Sequence, residues 1–200
     1  MEPPSRGPRT RVLYDLAREF AAQLDLDQLL PLIVNKCRAV LDAEGVSVFL
    51  LDRERGELYV PYNSQMSPEV AARLTGLRFA ADRGIVGSVL KRGRSERIDD
   101  PGRDPRHYSG VDTRSGVTTR SILAVPLIAR GEPVGVIEAV NHRDGPFLDD
   151  DLNLLESLGE MIAIALSNAD RFAQSQSCQA SSKIPPLVSF KTPPSRSFLV

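Results

Sequence analysis

Apolar residues recur at helical spacing at both ends of the chain and crowd into short β-branched runs between them. Over residues 10–24, Val12, Leu13, Leu16, Phe20 and Leu24 repeat at i, i+3/i+4, the period of a helix with one buried stripe. After the polar break at Asp25–Asp27, the period resumes through Leu29, Leu30, Ile33, Val34, Cys37, Val40 and Leu41, which predicts a second helix. Asp27 fits its N-cap and Pro31 its first turn, where a missing amide costs little. Gly45 closes that unit. GVSVFLLD over 45–52 then reads as a buried strand. Arg53–Gly56 is a turn into a second strand at Glu57–Tyr62, completing a hairpin. Gly84–Leu90 opens a short helix that stops at Arg92–Gly93. Residues 99–119, broken by glycine and proline, read as a long irregular loop, which inside a compact domain is functional or disordered. SILAVPLIA (121–129) and VGVIEAVN (134–141) are strands joined by a turn at Arg130–Pro133, and their continuous apolar character predicts burial on both faces. Asp149 or Asp150 caps a last helix with apolar positions Leu155, Leu158, Ile162, Ala165, Ala169 and Phe172. The order predicts an α+β fold. A central antiparallel sheet carries terminal helices on one face, and a short helix plus long loop covers the other.

Composition sets the limits of this domain. Residues 1–9 are a proline-rich lead-in, 10–172 the domain, and 173–200 a low-complexity tail expected to be unfolded. All 26 acidic residues precede the tail, which carries only Lys183, Lys191 and Arg196. The net charge of -1 gives no polyelectrolyte footprint, so nucleic acid is not an expected partner. The longest apolar run, Ile122–Ala129, is far short of the ~20 residues of a membrane span. No secretory leader is readable, so a cytoplasmic location is expected. The only cysteines are Cys37, in a helical apolar stripe, and Cys178, in the tail. They cannot build a structural zinc site, and Cys37 reads as core.

The second half of the chain carries an ordered set of motifs: GIVGSVLKRG (84–93), D-P-R at 104–106, V-D-x-x-x-G at 111–116, T-R-S-I-L-x-V-P-L at 119–127 and G-V-I-E-x-V-N at 135–141. In this order they resemble GAF domains, most closely those of cyclic-nucleotide phosphodiesterases and bacterial adenylate cyclases. That group carries an Asn-Lys…Phe-x-x-x-Asp-Glu signature. Asn141, Phe147 and Asp151 match it, His142 stands for the lysine and Leu152 for the glutamate. The resemblance implies that a His142–Asp151 pair replaces the family's lysine–aspartate ion pair.

It also implies a ligand site. Ser47 lies where the family often places a base-contacting group, and Thr119 where it has a threonine reaching the ligand. The residues add their own argument at two places. Ile85 and Val86 open a helix whose first amides and dipole favour an anion. Glu138 sits mid-strand among apolar neighbours, which is costly unless the carboxylate is paired or points into a polar pocket. Plainer readings stand beside each. Ser47 fills a strand position, the Gly84–Gly87 segment is only a turn, Thr119 only supports the loop, and Glu138 faces solvent at an edge or bridges to Arg120. Gly102 supplies no aromatic where the family often has one.

The expected function is therefore a sensory module without a catalytic centre. It binds a small molecule, a cyclic nucleotide (cAMP or cGMP) first, with no covalent cofactor and no metal. The alternative is a dimerisation and relay domain with a vestigial pocket. No cysteine between 38 and 177 is available for a bilin or for sulfoxide reduction, and His107 is a remote haem ligand candidate. The expected partners are a second copy, through the first and last helices, and a separate output protein. A partner's equivalent stripe would cover Leu155–Phe172, unless the terminal helices of one chain cover each other.

Overall fold

The computed structural model describes residues 8–23 and 25–181, with side chains described over 14–23, 25–114, 116–169 and 171. Residues 1–7 of the expected lead-in, Leu24, residues 182–200 of the expected tail, and the side chains of Val12, Leu13, Phe172 and Cys178 lie outside these.

Two helices come first, α1 (Pro8–Ala22) and α2 (Leu26–Val40), followed by the hairpin strands β1 (Ala43–Asp52) and β2 (Glu57–Gln65). Asp25 caps α2, its Oδ1 accepting the Asp27 N–H at 2.9 Å, so the cap lies two residues before the expected Asp27. Pro31 consequently stands inside the helix, beyond the first turn. The segment between β2 and the short helix, for which the apolar pattern gives no element, forms α3 (Pro68–Leu74) and β3 (Arg78–Ala80). Ser67 caps α3 ahead of Pro68 at its start, a stop-and-start signal that a short amphipathic stretch hides. Next come α4 (Gly84–Arg92), ended by Gly93 at φ 61°, and the edge strand β4 (Glu96–Ile98). The long loop is partly ordered, with a 3₁₀ turn at Pro101–Arg103 and α5 (Ser109–Ser115). β5 (Ile122–Ala129) and β6 (Glu132–His142) meet through Arg130–Gly131, both at positive φ, the backbone of a tight hairpin turn. α6 (Asp149–Ser181) is the last described element and continues past residue 172.

The strands form one six-stranded antiparallel sheet in the order β3-β2-β1-β6-β5-β4. β6 and β1 are its centre, and their side chains alternate between two cores. Val46, Val48, Ile137 and Ala139 face one layer, built with α1, α2 and α6. Phe49, Val136 and Val140 face the other, with α3 and α4. The α+β architecture with terminal helices on one face is as expected from the pattern. α6 packs closely on β5, since a Cβ at Gly159 would lie 2.8 Å from Val125 Cγ1.

The apolar stripe of α6 is covered within the chain. Leu155, Leu158, Ile162, Ala165 and Ala169 are buried together with Leu16, Phe20, Leu29 and Ile33. Over its described part, Leu155–Ala169, the stripe needs no partner to cover it, and the terminal helices cover each other. The start of α6 also differs from expectation. Asp151 reaches back to accept the Leu148 N–H at 2.8 Å, and the Leu148 carbonyl receives the amides of Asp151 and Leu152. Leu148 is thus the cap residue, and Asp151 plays the reciprocal part of a capping box.

Leu158→Ala should lower stability by about 2–5 kcal/mol, the range for opening a cavity in a packed core. Ala165→Glu should unfold the single chain rather than release folded monomers, because Ala165 is buried against the chain's own helices. Urea melts of both variants alongside sedimentation velocity check this; a folded, monomeric Ala165→Glu protein would contradict it.

Candidate functional site

Between the sheet and the α3–α5 layer lies a cavity enclosing roughly 750 Å³ of space, open solvent at its mouth included. Its floor is the face of β1 and β6 turned away from the terminal helices. Ser47 and Glu138 are directly opposed in the register of that pair, so their side chains stand side by side. Phe49, Val60, Ile122 and Val140 complete an apolar floor. Phe79 and Tyr108 extend it into an aromatic wall, with Phe49 edge-on to Phe79 at 5.8 Å and Phe79 tilted against Tyr108 at 6.2 Å. Gly110 leaves the room that the Tyr108 ring occupies; a Cβ there would overlap it. The guanidinium of Arg83, the cap residue of α4, lies 3.9 Å over the Tyr108 ring. Gly84, Ile85 and Val86 form the adjoining rim, and as the first turn of α4 their amides have no intrahelical acceptor.

The segment 104–119 is held over the cavity by charge. Arg106 bonds both oxygens of Asp104 (3.0 and 2.7 Å), reaches Glu96 at 2.6 and 2.8 Å, and donates to the Ser88 hydroxyl at 2.9 Å. This joins the loop to α4 and β4. The Arg106 hydrogen bond holds the Asp104 carboxyl below its usual range, with burial opposing. Asp112 accepts the Thr119 hydroxyl at Oδ1 (2.7 Å) and the Thr119 amide at Oδ2 (3.1 Å), and His107 Nε2 lies 3.4 Å from the same Oδ2. The loop thus returns to β5 through one carboxylate.

Glu138 is half-buried and lines this cavity, with no hydrogen-bond partner for its carboxyl among the described residues. Burial pushes its pKa up to about 8, and the nearby Asp112 charge adds to the rise. It does not bridge to Arg120, which pairs instead with Glu44 at 2.8 Å. That Arg120 bond, ahead of the Asn141 bond, lowers the Glu44 pKa.

All five expected ligand residues, Ser47, Ile85, Val86, Thr119 and Glu138, line the one cavity. The Thr119 hydroxyl is already committed to Asp112, so it orients that carboxylate as well as lining the space. The signature residues lie apart from it. Asn141, fully buried at φ 57°, is a latch. Its Oδ1 accepts the Arg120 N–H at 2.7 Å, and its Nδ2 donates to Glu44 Oε2 at 2.8 Å and to the Thr118 carbonyl at 3.1 Å. Phe147 is core. His142 and Asp151 do not pair: His142 Nδ1 accepts the Asp144 N–H at 3.2 Å and its ring packs edge-on to Phe147 at 5.5 Å, while Asp151 caps α6. The short reach of histidine and the helix cap's own claim on Asp151 account for the difference. Sequence reasoning missed Arg83, Tyr108, Asp112 and the aromatic wall. The aromatic side chains missing at Gly102 come from β1, β3 and the residue before α5. His107 serves Asp112, and Cys37 is buried with its thiol pushed up to about 12, as inert core. Among the described residues no metal-ligating cluster and no helix long and apolar enough to span a membrane occurs.

The family model described as GAF domain matches residues 25–166. The chain is 29% identical over 164 residues to the "Probable 3',5'-cyclic phosphodiesterase pde-5" of Caenorhabditis elegans, covering 78% of this chain and 22% of that protein. It is 28% identical over 179 residues to the "Dual 3',5'-cyclic-AMP and -GMP phosphodiesterase 11A" of Takifugu rubripes, covering 81% and 19%. The chain therefore spans about a fifth of the length of these relatives. Its fold is similar to the GAF domain of a phosphoenolpyruvate-protein phosphotransferase from Coxiella burnetii, with a TM-score of 0.73 at 21% identity over 83% of this chain and 96% of that one.

Two outcomes follow for stability. Asn141→Ala strips the partners from the buried amides and carbonyl at the 118–121 crossing and should cost about 2–3 kcal/mol in chemical denaturation. The Glu138 carboxyl titrates near 4.5 when unfolded and near 8 when folded. Its contribution is full below the unfolded value and is lost as pH rises toward 8, because only the unfolded chain releases the proton in that window. Glu138→Gln should therefore gain stability relative to the parent chain between those values, by on the order of a few kcal/mol. Urea midpoints measured across that window check the slope; parallel curves would contradict it.

Proposed function

Because the chain belongs to the GAF domain family, a family of regulatory ligand-binding modules, we propose that its cavity binds a cyclic nucleotide. The observation that carries this reading is the combination in one cavity of an aromatic wall, a polar floor pair and a helix N-terminus at the rim. The first-turn amides of α4 and its dipole receive the cyclic phosphate, with the Arg83 cation beside them. Phe49, Phe79 and Tyr108 enclose the flat base. Ser47 and Glu138 meet its polar edge. The names of the two phosphodiesterase relatives support the same ligand class.

In this reading the module acts in the cytoplasm and passes ligand occupancy to an output protein or a further domain. The continuous helix α6 starts next to β6 and extends to Ser181, which gives the signal a route. A homodimer through α1 and α6 would bury Tyr14 and Ile164, 58% and 61% exposed in the single chain. These, rather than the Leu155–Ala169 stripe, are the residues such an interface would use.

Isothermal titration with cAMP and cGMP is the test. At least one should bind in the micromolar range or tighter, and Glu138→Ala or Thr119→Ala should weaken it by roughly tenfold or more, the worth of a buried polar contact. No binding of either at millimolar concentration would favour a relay domain with an unused cavity.

A further inference from the structure

One carboxyl in the cavity is explained by no contact among the described residues. The Glu138 carboxyl stands on the cavity face of β6, beside Ser47 of β1 on one side and Ala124 of β5 on the other. It has no hydrogen-bond partner among the described residues. The other titratable groups lining the cavity are Asp112 on α5, His107 and Tyr108 just before α5, and Arg83 at the cap of α4. α3 contributes only Val70 and Leu74. Asp112 is held by Thr119 and His107, and Arg83 lies over Tyr108. Glu138 therefore has a second carboxylate for a neighbour and no cation in contact. Both conditions favour the neutral acid, consistent with its half-ionisation near pH 8.

The two charge states present different faces to a ligand. A carboxylic acid offers one O–H donor beside one carbonyl acceptor, whereas a carboxylate offers acceptors alone. The pairing edge of adenine sets the N1 acceptor beside the N6 amino donor, the complement of the acid. The same edge of guanine sets two donors, N1–H and the N2 amino group, side by side, the complement of the carboxylate. Resting on the cyclic-nucleotide reading above, we propose that Glu138 is the base-selecting residue of the cavity and that its proton makes the choice. The neutral acid takes an adenine edge and the carboxylate a guanine edge, so the site favours the adenine nucleotide at neutral pH and shifts toward the guanine one in mild alkali.

The size of the shift follows from the ionised fraction, about one site in ten at about pH 7 and about three in four at about pH 8.5. Between these pH values cAMP should weaken about fourfold and cGMP tighten about eightfold. Guanine keeps its own N1 proton over most of that window. Isothermal titration of both nucleotides into the full chain at the two pH values reads the effect. Glu138→Gln, whose amide keeps one donor and one acceptor, should retain cAMP and lose the pH dependence. His107→Gln, which removes the other titratable contact of Asp112, should keep the shift. Binding of either nucleotide with an affinity ratio that does not move with pH would overturn the proposal. So would a shift that survives in Glu138→Gln or disappears in His107→Gln. If neither nucleotide binds the parent chain at either pH, the cyclic-nucleotide reading itself fails and base selection falls with it. A fixed ratio with clear binding refutes base selection alone.

Discussion

The register between β1 and β6 decides which side chains of the central strands meet the terminal helices and which meet the cavity. Val46↔Ala139, Ser47↔Glu138 and Val48↔Ile137 are successive pairs, and side chains alternate between the faces at each step. A slip of one residue would carry Glu138 into the layer of Leu155, Leu158 and Phe20, where a carboxyl has neither water nor a partner. The same slip would put Ile137 into the cavity. The apolar content of the helix-covered layer thus enforces the polar content of the other. The site is a consequence of how the core is satisfied.

The loop over the cavity obeys a different constraint. A segment rich in glycine and proline has little apolar surface with which to fold itself onto the sheet, so its position depends on directed bonds. Arg106 supplies one set, to Asp104, Glu96 and Ser88, and Asp112 supplies another, to Thr119 and His107. Asn141 anchors the far end by bonding the backbone at Thr118 and Arg120. Charge-assisted bonds of this kind are short and geometrically selective. They let a polar segment stay close to a ligand-sized space without filling it.

Some of the site was legible in the chain itself. Glu138 announced itself as the one acid in a β-branched run, a placement whose cost demands a reason. Gly84–Val86 announced a helix start. Arg83 and Tyr108 carried no such mark, since an arginine and a tyrosine near glycine are ordinary loop residues, and Asp112 stood in a motif that assigned it no role. Their roles arise from neighbours far along the chain, with Tyr108 against Phe79 of β3 and Asp112 against Thr119 and the Glu138 side of the cavity. The His142–Asp151 pairing illustrates the opposite error. Closeness of motif positions does not fix partners when a helix start competes for the carboxylate.

Period and punctuation were sufficient to place α1, α2, the two long hairpins, α4 and α6, because each depends on local spacing of apolar residues or on a glycine at a turn. They sufficed too for an α+β class, since hairpin-linked strands must pair antiparallel. They did not reach the short elements α3, β3, β4 and α5, which are too brief to show a period and exist because the sheet or cavity gives them something to pack on. Nor could they say what covers the stripe of α6. An apolar face specifies that it will be buried, while the identity of the surface that buries it depends on where α1 and α2 come to rest. Only the tertiary structure brings them there, through burial of Leu16, Phe20 and Ile33 against Leu158 and Ile162, and hydrophobic attraction carries no information about partner or direction.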